Sequence, residues 1–445
     1  MLFGSIEFLF LFLPAVLILS LFLSVPMQNL MLVLASLLFV FLSDAAHFPV
    51  FIFVLAFSYL SGLLIAKKKS NAALFFTVGV LLLLLVFFKY ISPRLSGTPL
   101  SFLYTTLPVG ISFYTFQAIS YLADVRRNTV TAERSPIRFS AYLALFPQLI
   151  AGPIVRYEDV RSNLRTRTAE RGAGLCRFLL GLGKKLLIAD AMGEYFALAK
   201  AAPSSSLIAF FGLAAASFQI YFDFSGYSDM AIGLGRMLGF RFPENFRYPY
   251  IAESARDFWR RWHITLSDFF KNYVYIPLGG NRRGRVRTFC NLLFVWILTG
   301  LWHGGTVNFL LWGLYWFFFL AIERFTPFGH LLERAPRAIR HFYTLTVILF
   351  SWLIFSFTDV PSLLSYAKAL FSSPLFTPTA LYDTVRTLPV FLIAAFLSTP
   401  VPYRIFTKIS LRRPFFSTAI PLLVFAASVS FFLYRDYSPF LYFRF

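Results

Sequence analysis

Two histidines are the residues of this sequence best suited to do chemistry. His303 lies in LTGLWHGGTVNFLLWGLYW, and no Lys, Arg, Asp or Glu occurs between Arg287 and Glu323, so it is the only side chain there that titrates near neutral pH. A polar group in apolar surroundings costs free energy unless it is paired, and an ionisable residue in such a segment usually faces a cavity or pathway. A neutral imidazole, with an ordinary pKa of about 6.5, can take a proton from a hydroxyl as that hydroxyl attacks an acyl carbonyl. Gly304 and Gly305 follow directly and can open the helix, offering backbone N–H groups to a developing oxyanion. Asn308 is a further donor candidate only if the glycines break the helix, because five residues turn a regular helix through about 500° and carry it to another face.

The second histidine, His263 in RRWHITLS, reads from its neighbours as an interfacial residue among Arg and Trp. His47, His330 and His341 stand at the ends of apolar runs. The chain has two cysteines, Cys176 and Cys290, in apolar surroundings, and no HExxH or CxxC spacing, so neither a metal centre nor a disulfide framework is expected. FDFSGYSDM holds Asp223, Ser225 and Asp229, but position 223 is Asp and position 227 is Tyr, so the G-x-S-x-G nucleophile elbow is absent. It reads as a polar turn of a broken helix lining a cavity. Asp223 and Ser225, together with Gln148 and Trp302, are candidate substrate contacts. Gly235 and Gly239 in AIGLGRMLGF are spaced for a helix–helix contact rather than a dinucleotide loop. Arg260, Arg261, Arg282 and Arg283 are candidates for the phosphates of an anionic donor, with anionic lipid headgroups as the alternative ligand.

These residues must be positioned by membrane helices. The 445 residues are 58% hydrophobic and 14% charged, with 58 Phe, whereas soluble domains are about 25% charged. A span needs about 20 apolar residues, and the sequence offers about eleven such helices plus re-entrant pieces. Ile6 to Val25 lacks a basic n-region and a cleavage site, so it reads as a retained first span rather than a signal peptide. The net charge of +21 is gathered in short clusters between apolar runs, which fits cytoplasmic loops and lipid rather than nucleic acid. Lys67, Lys68 and Lys69 mark the cytoplasmic side and place the N-terminus outside. LALFPQLIAGPIVRYEDVRSNLRTRTAER, apolar for a dozen residues and interrupted by Pro147, Gly152 and Pro153, reads as a re-entrant half-helix. The Arg- and Trp-rich segment Arg256 to Arg287 reads as interfacial. Apolar runs near 291–301, 307–322, 343–357, 388–401 and 418–434 complete the chain. No repeat or polar linker divides it, so residues 1–445 form one expected domain.

With these residues in hand, the chain resembles the membrane-bound O-acyltransferase family, in its bacterial branch that includes alginate O-acetyltransferase membrane subunits. The resemblance is carried by FLFLFLPAVLIL, LPVGISFYTFQAISYLADVRR, FPQLIAGPIVRY, FQIYFDFSGYSDMAIGLGRMLGFRFPENFRYPY, RDFWRRWHITLSDFFKNYVYIPLGGNRRG, LTGLWHGGTVNFLLWGLYW and the terminal PFLYFRF. It implies an all-α polytopic fold, a ring of helices around a thin centre, with a tunnel joining a cytoplasmic acyl donor to an acceptor on the other side. It implies that His303 is the catalytic histidine and that His263 is a second catalytic position facing the same space. The terminal F-x-Y-x-x-F, here Phe440, Tyr442 and Phe445, resembles a motif in which the tyrosine hydroxyl relays the acyl group. On residues alone that tail would be an aromatic anchor.

The activity so implied is O-acylation, acetylation foremost, of an extracytoplasmic polysaccharide, alginate-like or peptidoglycan, at the bacterial inner membrane. The donor would be acetyl-CoA or an acyl-carrier protein, with no bound cofactor. The partner would be a secreted or periplasmic acetyltransferase of the SGNH type. D-alanyl transfer to teichoic acid and transport of a glycan precursor are the alternatives, the latter disfavoured by the lack of internal repeats.

Overall fold

The computed structural model describes residues 1, 3–101, 104–150, 152–434 and 440, and among these all regular structure is helical. Among the described residues, eight helices are long and apolar enough to cross a membrane by length and composition. The chain divides into two compact, interleaved units, one formed by Met1–Phe178 with Ser228–Glu244 and the other by Leu179–Tyr227 with Asn245–Phe445.

The first unit starts with a π-helical turn, Phe8–Phe12, that runs into α1 (Leu13–Phe22). Together they form a 15-residue apolar helix, shorter than the eight, because Ser24 and Pro26 start α2 (Val25–Ser43) so soon afterwards. Pro49 opens α3 (Phe48–Lys68), which ends where Lys69 turns left-handed at φ 47°. Ser70 then caps α4 (Asn71–Val86), its Oγ accepting the Ala73 N–H at 3.3 Å. Next comes α5 (Ile111–Arg126), whose residues from Ile111 to Val125 are all buried. Gly62 of α3 allows it close approach: a Cβ there would come within 2.7 Å of the Tyr121 ring.

After α6 (Pro136–Leu143), the stretch expected as re-entrant forms two short helices, α7 (Phe146–Leu149) and α8 (Tyr157–Val160), with the chain deeply buried between residues 141 and 150. Buried Glu133 fixes the approach to them, accepting from Tyr157 Oη at 2.8 Å and from Arg138 at 2.7 Å. α9 (Arg171–Gly183) begins in this unit, where Gly174 meets the Gly233 backbone and Arg177 binds Asp229 at 2.8 Å.

In the second unit a π-helical segment, Lys184–Ala189, links α9 to α10 (Asp190–Ala201). α11 (Ser206–Met237) then runs for 32 residues without interruption. FDFSGYSDM is thus helical throughout, not the broken turn expected. An unbroken helix satisfies its own backbone, and the charge of Asp223 is met from another helix by Lys185 at 2.8 Å. Gly239, expected to contact another helix, lies beyond the end of α11 at φ +83°, with the Phe240 N–H donating back to the Gly235 carbonyl at 2.8 Å. It is a helix-terminating glycine.

The remaining helices are α12 (Ala255–Trp259), α13 (Ile264–Phe270), α14 (Gly284–His303), α15 (Val307–Phe325), α16 (Phe328–Arg334), α17 (Arg337–Phe355), α18 (Val360–Ser372), α19 (Pro378–Leu397), α20 (Val401–Arg412) and α21 (Phe415–Tyr434). The apolar runs are recovered in α14, α15, α17, α19 and α21, while the more polar α18 and α20 are additional. α14 and α15 pack backbone to backbone: a Cβ on Gly300 would lie 2.5 Å from the Phe309 carbonyl oxygen, and one on Gly313 would lie 2.4 Å from that of Trp296. Small residues at such a crossing allow close approach.

Candidate active site

His303 is the last residue of α14, and the helix breaks immediately after it, Gly304 being extended at φ 174°, ψ 169°. The condition set by the sequence is met, and α15 starts afresh at Val307. The break is held tightly, for a Cβ on Gly304 would come within 2.3 Å of the Phe309 ring. The buried His303 imidazole is walled by Trp302 at 4.7 Å between ring centroids, Trp312 at 4.8 Å, Phe355 at 5.2 Å and Phe309 at 6.4 Å.

His263 belongs to the same unit, and the indole of Trp302 touches both imidazoles, its centroid 6.1 Å from that of His263. The residue read from its neighbours as interfacial is almost completely buried. It precedes α13 in the left-handed conformation, φ 43°, ψ 53°, and is secured by Asn245, which the sequence reading overlooked. Asn245 Oδ1 accepts from the Thr265 N–H at 3.4 Å and from Thr265 Oγ1 at 2.9 Å, and it lies 3.0 Å from His263 Nδ1. Since a backbone N–H can only donate, that atom is an oxygen and Nδ1 must carry the proton, leaving the lone pair on Nε2. Burial pushes this imidazole down to about 3, so it is neutral at ordinary pH.

Asn308 is wholly buried at the start of α15, but its amide nitrogen donates to the carbonyls of Phe357 at 2.8 Å and Asp359 at 3.2 Å. Both hydrogens are used, so what it offers elsewhere is an acceptor, Oδ1, rather than the donor imagined. All seven tryptophans of the chain gather in this unit: Trp259 packs on Trp296 at 4.6 Å, Trp262 on Trp352 at 4.8 Å and Trp259 on Trp316 at 5.2 Å, while Trp312 links the group to His303. Glu323, also overlooked, is buried and accepts the N–H groups of Ala255 at 2.7 Å and Arg256 at 3.1 Å, fixing the start of α12. Its one signal in the sequence was isolation at the end of a chargeless run. Asn245, between Pro243 and Phe246 beside Glu244, gave none.

The arginine segment folds as short helices with an aromatic inner side, Phe258 and Trp262 being buried in the tryptophan group. Arg261 is held by Asp257, with Nε 3.0 Å from both carboxylate oxygens. Arg260, Arg282 and Arg283 are exposed. Of the remaining candidates, Asp223 pairs with Lys185 and Ser225 is buried on the same helix. Gln148 belongs to the first unit, where its amide donates to the Tyr142 carbonyl at 2.5 Å. Phe440 packs edge-on against Tyr227 at 4.4 Å, while Tyr442 and Phe445 lie outside the described residues.

Many apolar helices, with buried imidazoles at a helix break, define a multi-pass membrane protein. The chain belongs to the membrane-bound O-acyltransferase family (MBOAT), whose sequence profile matches residues 16–367, and it is accordingly an O-acyltransferase. Among curated proteins it is similar to a probable alginate O-acetylase AlgI of Pseudomonas putida, 37% identical with 100% of both chains covered. It is also similar to a peptidoglycan O-acetyltransferase of Helicobacter pylori, 34% identical over 83% of this chain and 80% of that one. A teichoic acid D-alanyltransferase of Bacillus subtilis is 29% identical over 58% of this chain and 69% of its own.

Proposed function

We propose that this protein takes an acyl group, acetyl foremost, from a cytoplasmic thioester donor and delivers it across the inner membrane for O-acetylation of an envelope polysaccharide. The observation that carries the reading is the meeting of His263 and His303 on one indole at the break between α14 and α15. His303 acts as general base. It removes the proton from an attacking hydroxyl while the new C–O bond forms, the C–S bond of the donor breaks, and the proton passes on to the departing thiolate. His263, neutral and oriented by Asn245, contributes a lone pair at Nε2. The first acceptor is the Tyr442 hydroxyl, which then yields the acyl group to a serine of a secreted SGNH-type partner. A phenol, with a pKa of about 10, leaves more readily than a sugar hydroxyl, and splitting the transfer moves the acyl group without exporting its donor. Full-length similarity to an alginate O-acetylase, against partial similarity to a D-alanyltransferase, supports acetyl over D-alanyl. Acetyl-CoA and an acyl-carrier protein both provide the thioester required.

His303→Gln tests the base. Loss of about 10²–10⁴-fold in polysaccharide acetylation is expected, with normal membrane abundance and a normal unfolding temperature. Undiminished acetylation rejects His303 as the base. Tyr442→Phe separates the relay from a simple anchor, since it keeps the ring and removes the nucleophile.

A further inference from the structure

The one described residue of the terminal motif, Phe440, rests on a charge cluster that the acyl-transfer chemistry leaves unused. Lys185, in the π-helical segment before α10, is almost wholly buried and joins two carboxylates, Asp190 at 2.7 Å and Asp223 at 2.8 Å. Its ammonium also lies 5.0 Å from the centroid of the Phe440 ring. The same ring meets the edge-on ring of Tyr227, one helical turn along α11 from Asp223, with centroids 4.4 Å apart. Phe440 itself is 2% exposed. Gly226 lets the two backbones approach, because a Cβ there would fall 2.8 Å from the Gly181 carbonyl oxygen and 3.2 Å from the Lys185 backbone nitrogen. The residue between Asp223 and Tyr227 that faces elsewhere, Phe224, packs on the His263 ring at 4.7 Å.

We propose that Lys185, fixed by Asp223 and Asp190, is a positioning residue that seats the C-terminal segment through the ring of Phe440. A cation desolvated between two carboxylates cannot move away from the ring, and an aromatic face attracts it more than an aliphatic side chain of equal bulk would. Phe440 is two residues from Tyr442 in the chain, so the seat acts on the same terminal motif as the proposed relay. The seat and Phe224 share one stretch of α11, so Phe440 and His263 both pack against that stretch. The functional value of the seat rests on the acyl relay proposed above, whereas its existence does not.

The test uses the full-length protein in detergent, digested with a carboxypeptidase and followed by intact mass, alongside acetylation in cells. Phe440→Leu keeps apolar bulk and removes the aromatic face, and Phe440→Trp keeps the face. Lys185→Met removes the cation, and Lys185→Arg restores it. The expected result is release of the terminal residues at least ten-fold faster in Phe440→Leu and Lys185→Met, with near-normal rates in Phe440→Trp and Lys185→Arg. If Lys185→Met does not fold because two carboxylates are left buried, the Phe440 pair alone decides, since both changes lie near the chain end. Equal digestion of Phe440→Leu and the unaltered protein overturns the seat. Faster digestion with undiminished acetylation keeps the seat and instead refutes the relay on which its function rests.

Discussion

Gly304→Ala tests whether the break after His303 sets the site. The new methyl carbon would lie 2.3 Å from two atoms of the Phe309 ring, where carbon atoms in contact sit about 3.5–4.0 Å apart. Either the ring or the backbone must therefore yield by about 1.2 Å or more. Phe309 is 3% exposed and wedged against Phe355 at 5.1 Å, so the ring has little free space. Overpacking of this kind costs about 1–3 kcal/mol. The backbone that yields is the one carrying His303, and misplacing a catalytic group by about 1 Å can cost about 100-fold in rate. The variant should remain folded in detergent, unfold at a lower temperature, and lose one to two orders of magnitude in acyl transfer. Gly79→Ala is the control: it lies in α4 with no neighbouring atom within 4 Å and should unfold no earlier than the original protein. If Gly304→Ala matched that control in both stability and transfer, the tight junction would have no bearing on catalysis.

Asn245→Ala leaves His263 and Thr265 without their shared buried acceptor, which should cost about 1–3 kcal/mol and reduce turnover more than donor affinity; unchanged unfolding and turnover would dismiss its orienting role. The His263 imidazole is pushed from an ordinary 6.5 down to about 3, so between those values the unfolded chain binds more protons and stability rises with pH. His263→Gln should therefore flatten the loss of thermal stability between pH 6.5 and pH 4, within about the window those two values set, and an unaltered pH profile would refute this origin. Glu323→Gln places an amide nitrogen or a single oxygen opposite the two N–H groups starting α12 and should lower stability by about 1–3 kcal/mol in a denaturation assay. The double variant Arg282→Ala with Arg283→Ala should raise KM for the thioester donor several-fold at constant kcat. An unchanged KM would assign those arginines to lipid headgroups.

The long spans were legible because a membrane helix must be written as about 20 apolar residues, and α2, α3, α4, α15, α17, α19 and α21 are so written. His303 was legible for a related reason, being the one titrating group in such a run. What the sequence concealed was pairing over distance. Asp223, Ser225 and Asp229 looked like an interruption, since nothing local could tell that Lys185 and Arg177 would meet the two carboxylates inside an intact helix. His263 looked interfacial because the arginines beside it dominate its neighbourhood, while its partner Asn245 lies 18 residues away in an unremarkable loop. Asn308 showed the limit of counting turns: the break was foreseen, but the carbonyls of Phe357 and Asp359 that use its amide could not be. The amphipathic α18 and α20 carry too little apolar surface to stand out beside true spans.

Gathering every tryptophan of the chain into one cluster also has an optical consequence. Six of the indoles have centres separated by 4.6 to 6.3 Å and share absorbed ultraviolet light, while Trp302 lies beside the imidazoles of His263 and His303, so the emission samples one local environment. Protonated imidazole quenches indole emission, and so does a polar molecule entering an apolar pocket. The intrinsic fluorescence of this chain is therefore a local signal rather than an average over 445 residues: titration of His263, or arrival of a donor beside the two imidazoles, can be followed without attaching any label.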